Sequence, residues 1–232
     1  MREHSVRQST GVELKRQRPR DQQIQTGCSS SCRAGSGAYA RGVTLTVLLV
    51  VIAGLLALAD WWAVAGSRRR LELFAKPATM AVLVGAAAVA GDAPGDVRTW
   101  LVVGAGCGLI GDVALLGNGE NSFMAGLAAF AIGHLAYVVS ALLVGFDPYL
   151  ALPGAAFMLA LLGFRFMSRT VPGARRHGGA VLAGAVVFYA TVIAAMVVTS
   201  WATAAWAAAL GGTLFAVSDW VLGYQRFVAP VP

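Results

Sequence analysis

Charge is what this sequence has least of. Asp, Glu, Lys and Arg make up 12% of its 232 residues, about half the ~25% of an ordinary soluble domain. Cysteine is scarce too, at three. Cys28 and Cys32 lie in GCSSSC with no His or further Cys near them, so neither a metal site nor a disulfide is expected there. Cys107 stands among glycines in an apolar run, where a small buried residue is expected. No P-loop, G-x-S-x-G elbow, H-E-x-x-H or Cys/His cluster occurs, which leaves a serine hydrolase or a zinc protease without support. The glycines of GAGCGLIGD follow no strand and form no dinucleotide fingerprint. No cofactor, no metal and no nucleic-acid partner is expected.

Hydrophobic residues fill what the charges leave. They make up 57% of the chain, and apolar runs near 20 residues long recur along it. Only helices and closed barrels span lipid, and continuous runs exclude the alternating pattern of barrel strands. The expected fold class is therefore all-α, a polytopic helical membrane bundle in the cell membrane, with the lipid bilayer as its first partner. Residues 1–42 differ. They carry Arg2, Arg7, Lys15, Arg16, Arg18, Arg20, Arg33 and Arg41 among Ser, Gln and Gly, with almost no apolar periodicity. That composition supports no core and predicts a disordered basic tail, leaving 43–232 as one multi-span membrane domain. The run from Val43 is too long for a signal-peptide core.

Seven spans are expected, at about 43–65, 77–91, 98–117, 122–145, 149–167, 178–199 and 202–223. Breakers separate them: Gly66-Ser67, Gly91 to Gly95, Gly117-Asn118-Gly119, Asp147-Pro148, Pro172-Gly173 and Gly178-Gly179. Pro77 suits the first turn of the second span. Lys and Arg concentrate in the odd loops, as Arg68, Arg69, Arg70 and Lys76, then Arg169, Arg175 and Arg176, with Arg226 after the seventh span. Those loops should be cytoplasmic, although this places the basic tail outside.

Against this background two aspartates stand out, Asp112 in WLVVGAGCGLIGDVALLG and Asp219 in AALGGTLFAVSDWVLG. A carboxylate at the bilayer centre costs about 2.5–3.5 kcal/mol on insertion scales and normally faces a bundle interior or a wet cavity. Span parity places both, with Lys76, toward one side of the membrane. His134 and Tyr189 fall near mid-span. Gly104, Gly108 and Asp112 recur every four residues, a small-residue stripe that allows close helix approach. Phe123, Gly126, Phe130, His134 and Tyr137 share one face of span four, and Gly212, Phe215 and Asp219 one face of span seven.

Two carboxylates at similar depth in a low dielectric do not easily both carry charge. A neutral acid beside an ionised base suits general acid–base hydrolysis. His134 could shuttle a proton or orient a water, and Lys76 could meet a carboxylate or a phosphate. The plainer alternative is that the aspartates pair with Lys76 or cap helix ends, that His134 bonds a carbonyl and that the tyrosines only pack.

The combination Lys76-Pro77, Gly111-Asp112, FMAGLAAFAIGHLAYV (Phe123, Gly126, Phe130, Gly133-His134, Tyr137), Tyr189 in YATVIAAM and Ser218-Asp219 in SDWVLGYQRF resembles the YhhN family of integral membrane proteins. Its characterised members include lysoplasmalogenases, and the resemblance covers about 43–227. It implies eight helices and hydrolysis of the vinyl ether of a lysophospholipid from the membrane, with Asp112 and Asp219 as catalytic residues. His134 joins them as a catalytic candidate. Lys76, Phe123, Gly126, Phe130, Tyr137 and Tyr189 are the substrate-binding candidates. The family continues beyond the Ser-Asp motif into an eighth helix, whereas this chain stops at Val228–Pro232, so about seven spans and a bundle open on one side are expected. The alternatives are a proton-coupled transporter, for which intramembrane Asp and His are equally natural, and a non-catalytic membrane scaffold.

Cysteines introduced at positions 76 and 219 should both react with a membrane-impermeant thiol reagent from the cytoplasmic side. Labelling of the two positions from opposite sides would contradict the parity.

Overall fold

The computed structural model describes residues 42–229, apart from 60, 61, 63–65, 67, 68, 91, 92 and 118. The expected basic tail with Cys28 and Cys32, and Arg68 of the first basic loop, lie outside the described residues. Those described are helical almost throughout, with no strand among them. The helices are α1 (Gly42–Ala59), α2 (Arg69–Val89), α3 (Gly95–Leu115), α4 (Glu120–Val144), α5 (Pro148–Leu161), α6 (Val171–Ala202) and α7 (Trp206–Phe227). Five apolar stretches are long enough to cross a membrane, and Phe74–Val89 is a shorter sixth. The longest, Pro148–Ala202, folds back on itself. The Asp147 amide donates to the Ala202 carbonyl at 3.0 Å, so its two ends meet. The all-helical reading therefore holds, with five stretches of membrane-spanning length among the described residues.

Local chemistry explains the boundaries. Asp147 caps α5, its Oδ1 accepting from the amides of Tyr149 at 2.8 Å and Leu150 at 3.4 Å, while Pro148 fills the first turn, where no amide donor is needed. Two expectations fail. Pro77 does not open α2 but sits inside it, because the amphipathic residues from Arg69 onward continue the helix outward beyond the apolar run. The expected loop at Pro172-Gly173 is helical. The chain passes from α5 through π-helical turns, Leu162–Thr170, directly into α6. Pro172 falls at the junction where the π-helical turns pass into α6. The break comes instead at Gly178 and Gly179, the latter at φ 70° and ψ −161°, a conformation that only glycine adopts readily.

Packing centres on α3 and α4, the most extensive helix pair, with α2 against α3, and with α6 touching α4, α5 and α7. The glycine stripe is what brings α3 and α4 together. A Cβ on Gly133 would lie 2.9 Å from the Gly104 carbonyl oxygen, and one on Gly104 would enter the Tyr137 ring. In lipid, where burial of apolar surface no longer drives association, such backbone approach supplies dispersion contact that larger residues would block. Ser140 adds a hydrogen bond to the Val97 carbonyl at 3.3 Å, and Trp201 Nε1 donates to Thr213 Oγ1 at 3.1 Å between α6 and α7. Leu, Val and Phe side chains, Leu159 and Val181 among them, face outward, as a hydrocarbon solvent permits. Gly133→Ala should therefore destabilise the bundle by about 1–3 kcal/mol through overpacking. Gly106→Ala, whose Cβ meets nothing within 4 Å, should be neutral. Thermal unfolding of the two variants in one detergent makes the comparison.

Candidate functional site

Antiparallel threading brings one end of each of α2, α3, α4, α6 and α7 together. Phe123, near the start of α4, meets Phe227, the last residue of α7, edge to face at 5.9 Å. The main chain of Phe227 in turn presses on Gly173 in the first turn of α6. Met80 of α2 rests on Gly108 of α3. One turn further toward this same end on each helix stand Lys76 and Asp112, which are thus level with each other. The opposite end holds Val97, Ser140, Asp147 and Ala202.

Between the helices lies a cavity of about 870 Å³, within the usual range of ligand sites. Lys76, Asp112, Phe123, Phe130, His134, Tyr137, Tyr189 and Asp219 all line it. Gly126 does not. It is buried against Leu115 and the Gly111 carbonyl, so its place is in the α3–α4 contact and not in a binding wall. Helical spacing alone put it on the face of Phe130 and His134, but that face is wide enough to touch both α3 and the cavity.

The polar groups form a sequence along the cavity. Asp112 is three residues from the end of α3. Asp219 is eight residues from the end of α7, about 12 Å in at 1.5 Å per residue. Asp219 is thus deeper than a shared depth implied, because α7 runs past the expected limit of 223 to Phe227. Tyr189 of α6 donates its hydroxyl hydrogen to Asp219 Oδ1 at 3.3 Å. Asp112, on α3, lines the same cavity.

His134 lies among four rings. Their centroids are 4.6 Å away for Phe215, edge to face, 5.9 Å for Tyr189, and 6.2 Å for both Phe130 and Tyr137. It is 3% exposed, and neither ring nitrogen has a hydrogen-bond partner. A buried imidazole normally bonds something, and its surroundings here are carbon. The bland expectation, a bond to a carbonyl across helices, is not met.

Arg226 was singled out in the sequence only as a topological marker, yet it lines the cavity, its guanidinium carbon 4.2 Å from the centre of the Phe123 ring. Its helical register with Asp219, seven residues back, was the signal that could have found it. No group of three or more His, Cys, Asp or Glu able to hold a metal occurs among the described residues.

The YhhN family model matches residues 71–232, more than half of the chain. No curated protein and no solved structure matches it. The chain belongs to the YhhN family. The match begins after α1 and reaches the last residue, where the motif resemblance spanned 43–227.

Tyr189→Phe keeps the ring beside His134 and removes the hydrogen bond to Asp219. It should leave expression and ligand binding near wild type and lower any turnover at this site about tenfold or more, the cost of one hydrogen bond to a charged group. Single-turnover rates, measured separately from substrate affinity, test this. Unchanged rates would make the phenol a packing group.

Proposed function

We propose that this YhhN-family protein is a membrane-embedded hydrolase that cleaves the vinyl ether bond of lysoplasmalogen-like lysolipids, releasing a fatty aldehyde and a glycerophospho-alcohol. The observation that carries the proposal is the pair of carboxyl groups, Asp112 and Asp219, lining one mostly apolar cavity within a helical bundle, with the Tyr189 hydroxyl bonded to Asp219. Family membership supports the same reading.

The chemistry needs few groups. A neutral acid protonates the β-carbon of the vinyl ether, giving an oxocarbenium ion. A neighbouring carboxylate stabilises that cation and helps water add to the α-carbon. The resulting hemiacetal collapses, the ether oxygen leaves with a proton, and aldehyde and alcohol separate. The acid regains its proton from the added water, so protons balance over the cycle. The two aspartates supply the acid and the carboxylate. Tyr189 holds Asp219 in place. His134, with both nitrogens unpartnered, is suited to hold the incoming water. Phe130, Tyr137, Phe215 and Met158 give the lipid chain an apolar wall.

The cavity also has lining residues near the far end, including Ser140, Val144 and Thr203, which a transporter would need as well. A transporter would be expected to carry its helix break near mid-membrane. The break here, at Gly178-Gly179, lies at the end shared by Phe123 and Phe227, and this favours the hydrolase.

Purified protein in nanodiscs, given a lysoplasmalogen, should release aldehyde. Asp112→Asn and Asp219→Asn should each lower the rate by 100-fold or more, the range of general acid–base contributions, with insertion intact. Proton-coupled uptake of solute into proteoliposomes without aldehyde release would favour the transporter instead.

A further inference from the structure

All the described buried side-chain polar atoms that lack a hydrogen-bond partner belong to three residues: His134, Thr170 and Trp220. All three line the cavity described above. His134 is accounted for by the proposed water. Thr170 and Trp220 stand elsewhere, where the π-helical turns meet α7, and the hydrolytic chemistry does not use them.

Their placement is specific. Thr170 is 1% exposed and is the last residue of the π-helical segment. Its methyl carbon lies 3.8 Å from where a Cβ on Gly223 would stand. A threonine in a regular helix commonly returns its hydroxyl to a carbonyl three or four residues back, as Thr79, Thr99, Thr191, Thr199 and Thr213 do here. Thr170 does not. Gly223 of α7 lies opposite it and also lines the cavity. Trp220 stands about one turn before Gly223 on α7 and Arg226 about one turn after it. The indole N–H and the guanidinium can only donate, and the threonine hydroxyl can donate. Arg226 makes its described contact with the face of Phe123, which leaves its N–H edge for an acceptor. No acidic residue occurs between Asp219 and the end of α7. Three donor-bearing side chains that line the same end of one cavity, two of them without a partner, suit an anion.

We infer that Thr170, Trp220 and Arg226 form a phosphate subsite that holds the head group of the lysolipid. This rests on the hydrolase reading for the identity of the lipid. Gly223 is one turn, about 6 Å, beyond Asp219 toward the end of α7, a separation that a glycerol backbone spans between phosphate and vinyl ether. The phosphate then fixes how far the lipid enters. The vinyl ether stops between the aspartates, and the hydrocarbon chain continues past His134 into the apolar half of the cavity. Lys76, on α2, adds positive charge to the same end.

The test compares ligands that differ only in the phosphate. Wild-type protein in nanodiscs should bind a saturated 1-alkyl lysophospholipid, which has no vinyl ether to cleave, more tightly than the matching 1-alkylglycerol. Thr170→Val, of nearly equal volume, and Arg226→Gln should each weaken lysophospholipid binding about tenfold or more. Alkylglycerol binding should stay unchanged, and KM for the vinyl-ether substrate should rise with kcat held. Equal loss for both ligands, or no loss for either, would overturn the subsite. Inorganic phosphate should displace the lysophospholipid only weakly. Displacement as strong as that by the lipid would assign the site to free phosphate. If the phosphate-dependent binding pattern holds but no aldehyde is released, the hydrolase reading fails and the subsite stands.

Discussion

Hydrocarbon offers no hydrogen bonds, and every polar group carried into it must find a partner inside the protein or face water. This constraint organises the molecule. It drives the backbone into helices and turns Leu159, Val181 and their like outward to lipid. Lys76, Asp112, His134, Tyr189 and Asp219 are gathered along one cavity, where Tyr189 bonds Asp219 and Lys76 stands level with Asp112. Close contact of α3 and α4 through Gly104 and Gly133 then gives that cavity a rigid wall. A cavity built this way concentrates reactive groups because they have nowhere else to go.

The same constraint separates filled from unfilled polar positions. Ser140, Thr199 and Thr213 spend their hydroxyls on backbone carbonyls and act as structural contacts. His134, Thr170 and Trp220 have no such partner and all face the cavity. The first sits beyond the aspartates and the other two nearer the end marked by Phe227. A ligand that satisfied both sets would carry polar groups at two depths along an otherwise apolar cavity. The proposed lysolipid substrate has that form.

Much of this was legible in the sequence, for identifiable reasons. Apolar runs of span length fixed the helical class, since lipid admits no other reading of them. Four-residue spacing placed Gly104 and Gly108 on the contact with neighbouring helices. It also placed Phe130, His134 and Tyr137 on one face. Legibility failed where two surfaces share a face, as with Gly126, and where a helix continues past its apolar core, as with Pro77 in α2 and Asp219 in α7. The π-helical turns were invisible, because the residues that form them read as the end of one span and a basic loop. Thr170 and Trp220 were missed with them. Nothing in a sequence distinguishes a threonine that bonds its own helix from one that does not.

The central claim is that an acid in this cavity protonates carbon. It is tested most directly by running the wild-type reaction on a lysoplasmalogen in heavy water, with the aldehyde trapped as it forms. Protonation at the β-carbon predicts one deuterium on the carbon next to the carbonyl. Aldehyde without that deuterium, or no aldehyde at all, would contradict the account.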